Sequence, residues 1–357
     1  MRLSKLAMTI ALTCAAGTSL ADVTIYGIAQ ASIDYGTSGN NSGNRLYYQD
    51  IGARLGFKGS DKLDNGSTLE WNLYQYTGGY TWGSREAWIG ISDKDWGSFR
   101  SGKSKSTYSQ VMDDFDLFES NTTLVSTFKD GTYRSFPNST LFYTSPKWEG
   151  LVLKGEYQLR DGSNDNAYGY TVSAKYAQEK FALYGAYQKF GNSGRDLSDV
   201  TNAGAWYNPT GAEGKSMQSY LLGAQIYPVP GMIFGALYQH AQQDLAGAPA
   251  SAPTATQMKR DSVLLMAQDS IGKWTPRVGY VHQFAGKFDN GPSLRTADQF
   301  EIGTDYNLSK HSLLYTEASY IKNRGQNGFQ SSAADMGWTA SSAGDSKVLS
   351  VGLIALF

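Results

Sequence analysis

The 357-residue chain holds one cysteine, three histidines and nine prolines, and only 18% of its residues are charged. Cys14 lies among the first 21 residues, so from Asp22 onward there is no thiol. Disulfides, thiolate nucleophiles and cysteine-bound metal are thereby excluded from that part. His240, His282 and His311 stand far apart and lack metal-ligand spacing. No Gly-x-Ser-x-Gly elbow sets a serine beside one of them. The glycine-containing stretches at 162–169 and 191–195 lead into no Lys-Ser/Thr and cradle no phosphate. Asp161 and Asp165 read as turn residues rather than a calcium site. No cofactor is implied. Acidic residues (32) balance basic ones (31), and no basic stripe suited to nucleic acid is present. Beyond the first 21 residues no apolar run approaches the ~20 residues of a spanning helix. Mean hydropathy is −0.40.

What the chain has in abundance is aromatic side chains (24 Tyr, 15 Phe, 8 Trp) and 40 glycines. It opens with Arg2 and Lys5, an apolar or small stretch from Leu6 to Gly17, and Ser19-Leu20-Ala21. That order reads as a secretory signal peptide over 1–21, leaving a single domain over 22–357. Loss of two basic residues would take the net charge from −1 to −3.

The rest has one rhythm. Val23, Ile25, Gly27, Ala29, Ala31 and Ile33 share one parity; Thr24, Tyr26, Ile28, Gln30, Ser32 and Asp34 share the other. Period two places the sets on opposite faces of a strand. The pattern returns at Ile51–Lys58, Thr68–Tyr76, Leu151–Leu159, Tyr168–Ala177, Phe181–Phe190, Tyr220–Tyr227, Met232–Gln239, Asp261–Gln268, Arg277–Phe284, Gln299–Leu308, Leu313–Ile321 and Val348–Phe357, with shorter pieces between. About 16 strands of ~10 residues result. Short connections rich in Gly, Pro, Asp and Lys alternate with long ones such as Ser104–Asn138, Gly191–Lys215, Asp244–Lys259 and Gly325–Lys347. In an up-and-down sheet this trims one end and elaborates the other, as in outer-membrane barrels.

Alternation alone does not separate a soluble β-sandwich from a membrane barrel. Strand length, a strongly polar second face, and aromatic residues near strand ends favour the barrel. The aromatics in question are Tyr47, Tyr48, Tyr74, Tyr76, Tyr80, Trp82, Trp96, Trp148, Trp206, Tyr227 and Trp274.

Several stretches resemble one family in its own order: DVTIYG at 22–27, ARLGFKG at 53–59 with the turn SDKLDNG, SREAWIG at 84–90, WGSFRSGKS at 96–104, and a terminal Phe357. The family is the 16-stranded general-diffusion porins of Gram-negative outer membranes. The resemblance implies an all-β, 16-stranded antiparallel transmembrane barrel with an inward-folded third external loop, here Ser104–Asn138. It implies a homotrimer in outer-membrane lipid, passing small hydrophilic solutes and ions passively, with no enzymatic reaction. It also implies a constriction in which wall arginines face loop carboxylates. Arg54, Arg85 and Arg134 match family positions, and Arg100 is a further wall arginine. The loop supplies Asp113, Asp114, Asp116 and Glu119. Ile28 stands where the family carries a lysine, and DDFDLFES replaces its Pro-Glu-Phe motif. Ion preference stays open, since wall arginines favour anions while the loop acids favour cations. Other readings are a channel preferring sugars or organic anions, an outer-membrane β-barrel enzyme, and a soluble exported β-protein.

Overall fold

A computed structural model describes residues 23–38, 45–49, 52–77, 82–119, 124–129, 136–159, 168–191, 214–245, 252–291, 293, 296–324 and 345–357. Residues 1–21, with Cys14, lie outside the described residues, as do Arg134, Tyr80 and Trp206.

The described strands run β1 (Thr24–Ser38), β2 (Arg45–Gln49), β3 (Arg54–Lys62), β4 (Thr68–Tyr76), β5 (Glu86–Asp93), β6 (Gly97–Lys103), β7 (Thr140–Thr144), β8 (Leu151–Gln158), β9 (Tyr168–Ala177) and β10 (Phe181–Gly191). They continue through β11 (Gly214–Ile226), β12 (Ile233–Leu245), β13 (Gln257–Gln268), β14 (Trp274–Gln283), β15 (Lys287–Phe288), β16 (Thr296–Asn307), β17 (Ser312–Arg324) and β18 (Ser346–Leu356). Segments β2 and β3 both pair with β1, and β14 and β15 both pair with β13. Each couple forms one interrupted wall strand, so the wall has 16. Every sequential neighbour is antiparallel, and β18 closes on β1 from Ile28↔Leu356 to Ser38↔Ser346. Gly27 and Phe357 exchange backbone hydrogen bonds of 2.8 and 3.2 Å across the seam. Closure leaves no unpaired edge, which the interior of a membrane requires.

The faces are inverted relative to a soluble sandwich. Leu222 on β11 is 59% exposed while its neighbour Leu221 is fully buried under the loop that covers it. Ile25, Ile33, Ile89, Val172, Leu183, Leu222, Ile302 and Leu353 stand outward and exposed. Gln30, Asp34, Gln188, Gln239, Arg277, Gln299, Glu301 and Glu317 are buried on the opposite parity. An apolar belt outside a polar interior is what lipid around an aqueous lumen demands. Trp82, Trp96, Trp148 and Trp274 are exposed near strand ends, as an interfacial girdle needs.

Connections at one end are short, as from β3 to β4, where Gly66 at φ +89° donates to the Leu63 carbonyl at 2.9 Å. Those at the other end are long. The connection from β6 to β7 carries two helices, Thr107–Asp113 and Leu124–Lys129. Ser106 caps the first, its hydroxyl accepting from the Ser109 N–H at 3.1 Å. Together they bring Tyr108, Val111, Met112, Phe115, Phe118, Leu124, Val125 and Phe128 into one buried cluster with Ala182, Tyr184, Ala186, Leu221, Leu237, Leu264, Met266 and Val281. The latter lie on the buried parity of β10–β14. Glycines in the same wall make room. A Cβ at Gly223 would meet the Phe115 ring at 2.7 Å, and one at Gly279 would collide with Leu124.

Candidate functional site

On β1 and β3–β6 the buried parity carries a cationic, aromatic wall. Arg54 stands in register between Ile28 of β1 and Tyr76 of β4, with its guanidinium 5.7 Å from the Tyr76 ring centre. Arg85, buried just before β5, donates from Nη1 to the Tyr76 hydroxyl at 2.7 Å. It also lies 4.8, 5.6 and 4.7 Å from the rings of Tyr76, Tyr74 and Phe136. Arg100 sits 4.7 Å from the Trp88 ring, and Lys58 5.0 Å from that of Tyr26. Tyr26 stacks on Tyr74 at 5.0 Å. Ring faces hold a guanidinium without cancelling its charge. Among the described residues no carboxylate is within 4.0 Å of Arg54, Arg85 or Arg100.

This corrects part of the aromatic reading. Tyr74 and Tyr76 do not belong to the interfacial girdle; they point inward and position arginines. Tyr227 also faces inward, packing against the loop cluster and donating to Gln225 at 2.7 Å. Proximity to a strand end does not determine parity, and parity decides the side.

The loop acids divide into two groups. Asp113 is ion-paired with Lys105, and Asp114 with Lys175 at 2.9 Å. The Asp114 carbonyl accepts from the Gln225 amide at 2.6 Å. Neither residue meets Arg54, Arg85 or Arg100. Farther along, Glu119 lies 4.0 Å from Arg277, a buried arginine of β14 that is itself paired with Asp305. The Glu119 backbone N–H donates to Glu317 Oε1 at 2.7 Å, and its carbonyl accepts from Gln30 at 2.9 Å. Desolvation by loop and wall raises the Glu119 pKa above its ordinary 4.5; Arg277 pulls it down, Glu317 pushes it up, and Arg54 pulls it down. Arg54 and Glu119 therefore feel each other's charge, the one such loop–wall coupling among the predicted residues that the described structure records. Asp116 adds to the negative field around Arg277.

Sequence reasoning missed Arg277, Lys175 and Glu86. Arg277 shares a strand with Val278, which is exposed, so the inward parity of the arginine was legible from alternation. Its partner was not. Glu86 sits inside the arginine wall, with Oε2 accepting from Trp88 Nε1 at 3.1 Å and Asn72 at 3.4 Å.

A family profile described as Gram-negative porin matches residues 7–326. The chain belongs to the Gram-negative porin family. The major outer membrane protein P.IB of Neisseria gonorrhoeae is 26% identical over 339 residues, covering 90% of this chain and 94% of the relative. An anion-selective porin from Comamonas acidovorans superposes with a TM-score of 0.73 at 17% identity, covering 95% of this chain and all of the other. The in-vitro folded outer-membrane protein OmpT of Vibrio cholerae, in a trimer form, superposes with a TM-score of 0.70 at 11% identity, covering 95% and 100%. These structural likenesses are likenesses of fold. This porin is an outer-membrane channel for passive diffusion of small hydrophilic solutes and ions.

Proposed function

We propose that the porin's narrowest passage lies between Arg54, Arg85 and Arg100, joined by Arg134, and the loop bearing Asp113, Asp114, Asp116 and Glu119, folded into the lumen. The packing of Phe115 and Leu124 over glycines of the buried wall parity supports an inward loop. Facing rows of opposite charge set a transverse field across the water layer, favouring polar solutes that align in it. The two rows are unequal. Asp113 and Asp114 are neutralised by Lys105 and Lys175, and Glu119 borders Arg277. The three described arginines of the opposite wall rest on aromatic rings with no carboxylate at ion-pair distance, and Arg100 feels Glu86 and Glu70 only at longer range. The surplus is positive, so the channel passes anions more readily than cations.

The observation that carries this is the absence, among the described residues, of a carboxylate against Arg54, Arg85 and Arg100. Planar-bilayer recordings in a salt gradient test it. The wild-type reversal potential should have the sign of anion preference, and Arg54→Ala and Arg100→Ala should each move it toward cations. A cation-selective wild type, or two variants without effect, would refute the assignment. Channel function alone accounts for the site, and no catalytic role is assigned. We further infer that residues 1–21 are removed on export and that three copies assemble, a state carried by the trimeric Vibrio relative.

A further inference from the structure

The inner wall of β1, β3 and β4 carries an aromatic plate as well as arginines. Tyr26, Gly56 and Tyr74 stand in one register row on the inward parity. Gly56 has no side chain, and both rings lean into the place of its Cβ, which would meet Tyr26 at 2.5 Å and Tyr74 at 2.8 Å. The rings close over it as an offset stack, with centres 5.0 Å apart and planes inclined by 16°. Tyr26 is held there by donating its hydroxyl to Asn72 at 2.6 Å. Its ring carries no guanidinium among the described residues, so holding an arginine does not explain it. Both rings are half-buried on the inward parity, and the stack keeps an open surface toward the lumen.

Cations flank the stack. The exposed Lys58 lies 5.0 Å from the Tyr26 ring centre, and the Arg85 guanidinium 5.6 Å from that of Tyr74. Arg54 stands one row farther along, over Tyr76. The Nε of Arg54 and the Nε of Arg85 are buried N–H donors with no acceptor. Buried donors are ordinarily paired, and an unpaired one is costly. A guanidinium presents its donors as a flat fork that matches the two oxygens of a carboxylate. Glu86, close by, does not fill that role. Its Oε2 accepts from Trp88, Asn72 and Ser104 at 3.1, 3.4 and 3.4 Å. It lies beyond ion-pair distance from both arginines.

We propose that this patch is a binding site for aromatic carboxylates, the ring laid against the Tyr26–Tyr74 stack and the carboxylate on the forks of Arg85 and Arg54. The inference rests on the reading of these arginines as the surplus charge of the passage, and it names the class of anion they serve. An aliphatic acid of equal charge would use the forks but not the stack. Ring on ring in offset geometry adds about two- to tenfold in affinity. A neutral arene would use the stack and leave the forks unpaired.

Single-channel recordings of the full-length porin in planar bilayers, with benzoate or cyclohexanecarboxylate added, test it. The two acids share their charge and nearly their size, but only benzoate has a flat π face. Titrating the change in ion current should give benzoate the lower dissociation constant, by about two- to tenfold. Tyr26→Leu should erase that difference, and Tyr26→Phe should restore it. Arg85→Gln should weaken both acids together, and neutral benzamide should bind more weakly than benzoate. The reversal potential in a salt gradient is measured on the same membranes. Anion preference with equal affinity for the two acids, or with no response to benzoate, would overturn the aromatic site and leave the charge assignment of the passage standing. A difference that survives in both Tyr26→Leu and Tyr74→Leu would overturn it as well. Cation preference in the wild type would remove the arginine reading, and the proposal with it.

Discussion

Arg277 shows how one residue can serve the loop and the wall together. Its guanidinium is buried, paired with Asp305 and bordered by Glu119, Glu301, Glu317 and Asp116. Removing a buried charge from its counter-charges leaves them unpaired, at a cost of about 3–5 kcal/mol. Arg277→Gln should therefore destabilise the loop tip around Glu119. The expected readout is noisier open-channel current, with stable conductance in the same recordings sinking the idea. Glu119 makes a second prediction. Burial raises its pKa above 4.5, so it gains a proton while an ordinary carboxyl is still charged. Each protonation removes negative charge facing Arg54, and anion preference should increase as pH falls toward that value. Glu119→Gln should reproduce the shift at neutral pH and flatten the pH response; a variant that still titrates in the same range would assign the effect elsewhere.

At the scale of elements, the wall and the loop are fitted through small residues. Phe115 lies against Gly223, and Leu124 occupies the space a Cβ would take at Gly279. Gly279→Val leaves the strand's backbone bonding intact but expels Leu124 and the Leu124–Lys129 helix from their seat. The expected outcome is a barrel of unchanged circular dichroism with altered single-channel conductance; unchanged conductance would mean that this seat does not set the passage. Strand faces allow a sharper comparison. Leu222 is outward and Leu221 inward on β11. An arginine on the lipid face near the bilayer midplane costs about 2–4 kcal/mol, so Leu222→Arg should lower stability by that amount in reversible urea unfolding from lipid vesicles. A loss well under 1 kcal/mol would place Leu222 outside the lipid belt.

For the whole molecule, stability comes from closure. Each strand satisfies its neighbours, and β18 returns to β1 over eleven registered pairs. The final residue reinforces the seam. Phe357 both donates to and accepts from Gly27, and its ring lies where a Gly27 Cβ would otherwise stand. Deleting Phe357 removes two hydrogen bonds and the packing over Gly27. The deletion should lower the temperature at which the folded species loses its distinct mobility in unheated gel electrophoresis; an unchanged transition would show that the seam is held by the earlier pairs alone.

Much of this architecture was legible because a strand writes its two faces into alternate positions. Ile25 and Ile33 against Gln30, Ser32 and Asp34 already separated an apolar face from a polar one, and the alternation of short and long connections separated the two rims. Arg54 and Arg100 were placed on the polar face by the same parity, and Arg85 by its family position. Sequence by itself determined that the chain is a barrel of about 16 strands with a charged interior. Only the tertiary structure decided which charges meet. Glu119 and Glu317 are 198 positions apart, and they touch because the wall closes and the loop lies across it. Tyr74 and Tyr76 have the composition of girdle residues, yet their parity turns them toward arginines. Local pattern fixes the side a residue faces. A partner across the lumen is chosen by closure and by the shape of the inner wall, and neither is written in the spacing of neighbours.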